Sequence, residues 1–200
     1  MRKGRCAIAD YTVISDVGLT LVKLLREQLV PELIAAPESI GLASPADRGD
    51  LQLVLFLYQI HENAENRRTT MTGRGTEALQ YPPQALNLSF LLTCYSASDV
   101  ASRALDEQRI MGRVMQLLND NSVLRGSQLH GSLADKSEEL RISKDDLSAE
   151  TVIGLFGDAP YKLSIGYTVG PVFLDSKRTK QTKRVTEARF TLEQQEGSGL

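Results

Sequence analysis

Two apolar stretches constrain this chain more than anything else in it. The first is Leu51–Asn63, LQLVLFLYQIHEN, in which every residue from Leu53 to Tyr58 is apolar. A run apolar on both faces fits a strand covered on both sides. Its length, its β-branched and aromatic content and the turn residues before it favour a strand over a short buried helix. The second stretch is Ala85–Ala97, ALNLSFLLTCYSA. Here Leu86, Leu88, Phe90 and Leu92 fall on one face and Asn87, Ser89, Leu91 and Thr93 on the other, so one face is expected to be only partly covered. The two read as neighbouring central strands, and the rest of the chain reads as helices that cover them or strands that extend them.

Ahead of them, Val17, Leu21, Leu24, Leu25 and Leu29 recur at helical spacing. Thr12 or Ser15 can cap this helix, Pro31 ends it, and Thr20, Lys23, Arg26 and Glu27 are expected to face outward. Met1–Tyr11 reads as a lead, Ser39–Leu42 as a short edge strand, and Pro45 to Asp50 as a turn. Between the two central strands, Ala64–Gln84 carries Arg67, Arg68, Arg74 and Pro82-Pro83 with little to bury, and a projecting loop or long hairpin tip is expected.

After the second strand, Ser98–Leu118 reads as a helix, capped by Ser98, Asp99 or Ser102. Its stripe is Ala104, Met111, Val114, Met115 and Leu118, with Leu105, Ile110 and Leu117 at the margins; the methionines read as packing. Val123-Leu124, Gln128–Leu133 and Leu140–Ile142 read as short strands. Ser148–Phe156 reads as a helix with a serine cap and Gly157 as its stop. Tyr161–Leu174, YKLSIGYTVGPVFL, reads as a long strand whose Gly166, Gly170 and Pro171 mark a bend or an edge position. Val185–Leu192 alternates weakly and is expected to pair back as a last strand, and Glu193–Leu200 reads as a tail. The fold class is therefore α/β, more narrowly α+β: a single mixed sheet flanked by helices, with a projecting loop and a C-terminal hairpin or arm.

Chemistry is sparse. His61 lacks the second histidine a helical zinc motif requires, and His130 lies between turn residues. No P-loop, glycine-rich nucleotide turn or nucleophile elbow is present. Catalytic, cofactor and metal sites are all expected to be none. Cys6 and Cys94 form no disulfide framework, which suits a reducing compartment, and Cys94 reads as a small buried hydrophobe. The start, MRKGRCAIAD, lacks the apolar run of a secretory signal, and Leu53–Tyr58 falls far short of a membrane helix. A soluble chain in the cytoplasm is the expectation, with no membrane partner.

The net charge of −2 argues against a protein made chiefly to hold nucleic acid, so charge must act through local clusters. The sharpest is Ser176–Arg184, SKRTKQTKR, with Lys177, Arg178, Lys180, Lys183 and Arg184 and no acid. It reads as a solvated hairpin loop or as an arm that meets an acidic partner. No aromatic residue is interleaved, so no nucleic acid is expected. Arg67 and Arg68 join these five as candidate assembly contacts.

The order LFLYQIHENAENRR, Pro-Pro, LNLSFLLTCYSASD, EQRIMGRVMQLLNDNSVLRG and YKLSIGYTV resembles the cap, or tail-terminator, proteins of contractile injection systems, the phage-tail-like particles of the Photorhabdus virulence cassette and antifeeding-prophage type. The likeness covers Tyr11–Asp175. It implies a structural protein, not an enzyme, that sits as a ring, usually a homo-hexamer, at the end of the inner tube. There it contacts tube and sheath subunits, stops their growth and locks the last sheath layer. Leu55, Phe56, Leu57 and Tyr58 match the family's first strand and Arg67 and Arg68 the arginines after it. Thr69–Gln84 is longer than the pattern, and Ser176–Leu200 lies beyond it. The resemblance thus implies a cap domain over 1–175 and a basic arm with a C-terminal extension over 176–200, assembled in the cytoplasm and then part of the particle. The alternatives are a monomeric adaptor or connector of another phage-like particle, or a small enzyme with an unrecognised site.

Overall fold

The computed structural model describes residues 11–74, 78–134 and 139–181. The proposed lead, the last strand over Val185–Leu192 and the tail lie outside these. Two compact units are present: one formed by the chain up to Arg68 together with Pro83–Asp175, the other by Thr69–Pro82 and the chain from Ser176.

The larger unit holds helix α1 (Val13–Leu29), strands β1 (Ile40–Leu42) and β2 (Leu53–Glu62), and later elements of the chain described below. In α1 the predicted stripe is the buried one: Val17, Leu21, Leu25 and Leu29 are enclosed and Leu24 is half-buried. Thr12 precedes the helix without a side-chain cap. Thr20 does not face outward. Its hydroxyl donates to the Asp16 carbonyl at 2.7 Å and accepts the His130 N–H at 2.9 Å, so two hydrogen bonds offset its burial. Arg26 is also turned in, forking onto the Ile40 carbonyl with Nε and Nη2 at 3.1 and 2.7 Å. That fork covers the outer side of β1, the edge strand the sequence predicts.

β1 runs parallel to β2 but pairs only with Leu53–Leu55. On the other side, β2 runs antiparallel to β5 (Gln84–Cys94) along nearly its whole length. One residue bulges out at Tyr58: Leu57 faces Phe90, and Gln59 already faces Ser89. The smaller unit's strands β3 (Thr72–Arg74) and β4 (Ala78–Gln80) lie between these two in sequence and pair antiparallel, where a projecting loop or long hairpin tip is expected. β4 pairs in turn with β9 (Thr179–Gln181), the start of the basic arm.

Helix α2 spans Arg103–Asp120, five residues later in its start than the sequence suggests. Asp99 explains the delay: its carboxylate accepts the Ser102 N–H and hydroxyl at 3.0 and 2.8 Å, a local turn that competes with helix. The stripe is also rotated. Ala104 and Met115 are exposed, and Glu107 takes a buried place among Ile110, Met111, Val114, Leu117 and Leu118. Glu107 is held there by Lys162 Nζ at 3.0 Å and the Ser96 N–H at 3.3 Å. A carboxylate with two donors can be enclosed, and a pattern search that scores only apolar residues misses it.

β6 (Val123–Leu124) and β7 (Leu140–Asp145) follow, with two 3₁₀ turns, Gly126–Gln128 and Gly131–Leu133, where Gln128–Leu133 is read as a strand. Positive φ at Gly126 and Gly131 breaks any extended run there. Asp16 of α1 instead clips this segment down, accepting the Ser132 N–H at 3.0 Å and the Ser132 hydroxyl at 2.6 Å. Helix α3 (Ala149–Phe156) has the predicted cap, Ser148 Oγ accepting the Thr151 N–H at 3.2 Å, and Gly157 ends it at φ 58°.

β8 (Ser164–Leu174) completes a mixed six-stranded sheet ordered β1-β2-β5-β8-β7-β6. The predicted bend is a bulge in which Gly170 and Pro171 together oppose Asn87. A side chain at Gly170 would run into the Asn87 amide. β8 is central over Gly166–Gly170 and loses its β7 neighbour from Pro171 onward. The missing proline N–H therefore falls where no ladder bond is made.

α1 and α2 cover one face of this sheet over the main core, which includes Leu53, Leu55, Leu88, Phe90, Leu92 and Val169. Among the described residues α3 is the one helix that covers the other face, packing Val152 and Phe156 on Leu91, Phe56 and Tyr58. The partial cover expected on the Asn87, Ser89, Leu91 and Thr93 face of β5 is not found: Ser89, Leu91 and Thr93 are buried and Asn87 alone of the four is half-buried. Val54 is enclosed, but Phe56 and Tyr58 are half-buried, so the β2 run is doubly covered at its start alone.

Candidate assembly surface

Beyond α3 the second sheet face turns polar. Tyr58 Oη donates to Asp145 Oδ2 at 3.0 Å, Thr168 Oγ1 donates to the same oxygen at 3.3 Å, and Ser89 bonds Thr168 at 3.3 Å. Burial, then Asp145, raises the Tyr58 phenol above its ordinary value, so the group stays a donor. Next to this network is an open hollow of about 710 Å³, lined among others by Asn63, Arg68, Asn87, Arg141, Ser143 and Thr168.

The turn after β2 shapes its rim. Asn63 Nδ2 donates to Asn87 Oδ1 at 2.9 Å, and Asn63 Oδ1 accepts the Asn66 N–H at 3.0 Å, an Asx turn that delivers Arg67 and Arg68. The two arginines then part. Arg68 lays its guanidinium over the Phe173 ring, 3.9 Å from the centroid, and enters the hollow. Arg67 stays exposed, 3.8 Å from Glu62. Across the hollow, Glu139 binds Arg141 at 2.8 Å and also Arg125. The Arg141 hydrogen bond, then the charge of Arg125, holds its carboxyl below the usual range. Arg68 and Arg141 thus bring two planar guanidinium groups to the hollow, one stacked on Phe173 and one paired with Glu139.

In the smaller unit, Arg178 stacks over Tyr81 at 4.3 Å, and its carbonyl accepts the Tyr81 N–H at 3.0 Å. Gln80 Nε2 donates to the Ser176 carbonyl at 2.6 Å. Lys180 faces Leu79 in register and is exposed, and Lys177 precedes it. The start of the basic arm is therefore a built strand, not a bare loop. Lys183 and Arg184 lie outside the described residues.

The structure thus places Arg67 and Arg68 in the sheet unit and Lys177, Arg178 and Lys180 in the other. Sequence reasoning missed Arg125, Glu139 and Arg141, which are separated by turns, and the ring partners Phe173 and Tyr81. The alternation of Arg141 and Ser143 on β7 is the one signal that could have pointed to them.

Other hollows are open and mixed in character. One of about 850 Å³ lies by Arg48, Tyr95 and Lys162, with the Arg48 guanidinium 4.3 Å over the Tyr95 ring. Another, of about 350 Å³, lies by Met111, Met115 and Leu163. The Cys94 thiol is pushed up to about 12, first by burial and then by Glu107, so it stays protonated. His61 is exposed on β2, and His130 Nδ1 lies 3.9 Å from Asp16. Among the described residues no three of His, Cys, Asp and Glu gather as metal ligands would, and no helix is long and apolar enough to cross a membrane.

The fold has known counterparts. The chain is similar to the PVC sheath/tube terminator of an extracellular contractile injection system in its extended state, with TM-score 0.62 and 19% identity over 93% of this chain and 65% of that one. It is similar also to the tube-terminating cap of the anti-feeding prophage, with TM-score 0.60 and 18% identity over 89% of this chain and 61% of that one. The chain spans less than two thirds of the length of either. No curated protein matches it. The model of the Pvc16 N-terminal domain matches residues 16–188. The chain belongs to the Pvc16 N-terminal domain family.

Proposed function

We propose that this chain caps the inner tube and sheath of a contractile, phage-tail-like injection particle and ends their growth. The family match over residues 16–188 carries the reading. Two solved structures of the same fold, described as a sheath/tube terminator and a tube-terminating cap, support it. In this reading the role is structural and non-enzymatic. Copies form a ring, with six as the expected number, that meets tube and sheath. The ring is built in the cytoplasm and leaves as part of the particle.

Residues 1–175 then act as the cap domain and 176–200 as an arm and extension. Arg67, Arg68, Lys177, Arg178, Lys180, Lys183 and Arg184 serve as assembly contacts. A ring needs one surface that meets a different surface of the next copy, with a rotation that closes. The test is deletion of the gene in cells that make the particles, with tube lengths measured by electron microscopy. Capping predicts tubes of uncontrolled length and loosened sheaths, restored by the intact chain. Particles of normal length and sheath in the deletion strain refute it.

A further inference from the structure

β2 carries an open edge. β1 covers only Leu53–Leu55, with one further bond from the Ala43 N–H to the Leu55 carbonyl. The rest of the strand has β5 on one side and, among the described residues, no strand on the other. Its main-chain groups can be assigned. The Asn63 N–H donates to the Ala85 carbonyl at 2.8 Å, and groups alternate in an antiparallel ladder. Asn63, His61 and Gln59 therefore point to β5, whereas Glu62 and Ile60 point out. Ile60 is also 47% exposed. Unpaired N–H and C=O groups along a strand recognise an extended backbone.

Among the described residues β4 alone pairs with β9, which therefore offers the matching edge. The Tyr81 N–H donates to the Arg178 carbonyl, so Arg178 and Lys180 turn their main chain to β4 while Thr179 and Gln181 turn theirs out. Charge complements this geometry. The chain that flanks β1, from Arg26 to Asp50, exposes Glu27, Glu32, Glu38, Asp47 and Asp50, and its two arginines are engaged, Arg26 on Ile40 and Arg48 on Tyr95. The Ser176–Gln181 segment holds three cations and no acid.

We propose that β9 of a second copy adds to the open edge of β2, so that successive copies join head to tail through main-chain hydrogen bonds steered by charge. This rests on the ring reading and deepens it, because it names the interface.

Two proline variants of the full chain test it. Ile60→Pro and Thr179→Pro each remove one outward N–H and spare the ladder behind it. Light scattering on a sizing column is expected to find multimers for the wild type, weakened in about 1 M salt, where charges more than about 3 Å apart are screened. Each variant should run as the 22.0 kDa monomer with an unchanged circular dichroism spectrum. An equal mixture should give a heterodimer and nothing larger, since only one pair of edges is intact. Multimers that persist in either variant, a mixture that stays monomeric, or a wild type monomeric at every concentration would overturn the interface. The capping reading stands or falls separately, on tube length in the deletion strain. If one variant fails to fold, the other still decides, by its mass alone.

Discussion

Replacing Asp16 with alanine should loosen the clip between α1 and the turns before β7. The carboxylate is nearly enclosed and accepts two good bonds from Ser132, the hydroxyl at 2.6 Å and the N–H at 3.0 Å, with a weaker one from Thr12 at 3.3 Å. A hydrogen bond to a charged group contributes about 1.5–3 kcal/mol, and the orphaned Ser132 N–H regains some water at this half-exposed site. Taking the low end for two bonds gives a loss of about 3 kcal/mol. For a chain of this size that lowers the melting temperature by roughly 6–12 °C. Calorimetry and denaturant titration would measure it. Ser132→Ala alone should cost about 1–1.5 kcal/mol, because the N–H bond survives, and the double variant should cost about as much as Asp16→Ala alone, roughly 3 kcal/mol, instead of the sum of the two. A loss under about 1 kcal/mol for Asp16→Ala, or strict additivity, would refute the clip as an energetic unit.

Other outcomes follow from the same geometry. Gly131→Ala should cost more than about 1 kcal/mol in denaturant titration, since its φ of 59° suits glycine and the new methyl would meet the Asp16 carboxylate. Phe156→Ala should cost about 3 kcal/mol and detach α3 first, seen as selective loss of hydrogen-exchange protection over residues 149–156. Glu139 is held low by Arg141 and then Arg125, so its contribution is present above the ordinary Glu range and is lost as pH falls through its depressed midpoint. Carboxyl NMR should show that midpoint below the ordinary glutamate value and rising in Arg141→Ala. Cys94, pushed up to about 12, should react with a thiol reagent at pH 8 only as fast as the chain opens, and unfolding should release the reaction. Deleting residues 177–184 should leave the melting temperature of the sheet unit unchanged while weakening particle assembly; normal particles would refute the arm's role.

The sheet was legible because one of the two strands carries an unbroken apolar run after turn residues and the other alternates with period two. The covering stripe of α1 and the serine-to-glycine frame of α3 were legible for the same local reasons. What escaped was decided by distant partners. Thr20 looks like a surface residue until His130, far along the chain, supplies its second bond. Glu107 looks solvated until Lys162 reaches it. Gln128–Leu133 reads as extended because local pattern cannot see Asp16 waiting for Ser132. Of the candidate surface, the arginines stood out by charge, but their positions depend on Phe173 and Tyr81, which only the folded chain brings near.

The extra residue at Tyr58 has a consequence for anything that grows on β2. Period two breaks there, so residues before and after it offer their main-chain groups out of step. An added strand that begins at Glu62 can run back over Ile60 in register but meets the wrong phase near Leu57. Farther on, the Arg26 fork keeps the outer side of β1 occupied. The flank therefore works as a berth of fixed length: it admits a short strand, sets where that strand stops, and gives a long, sticky one no track along which to slide.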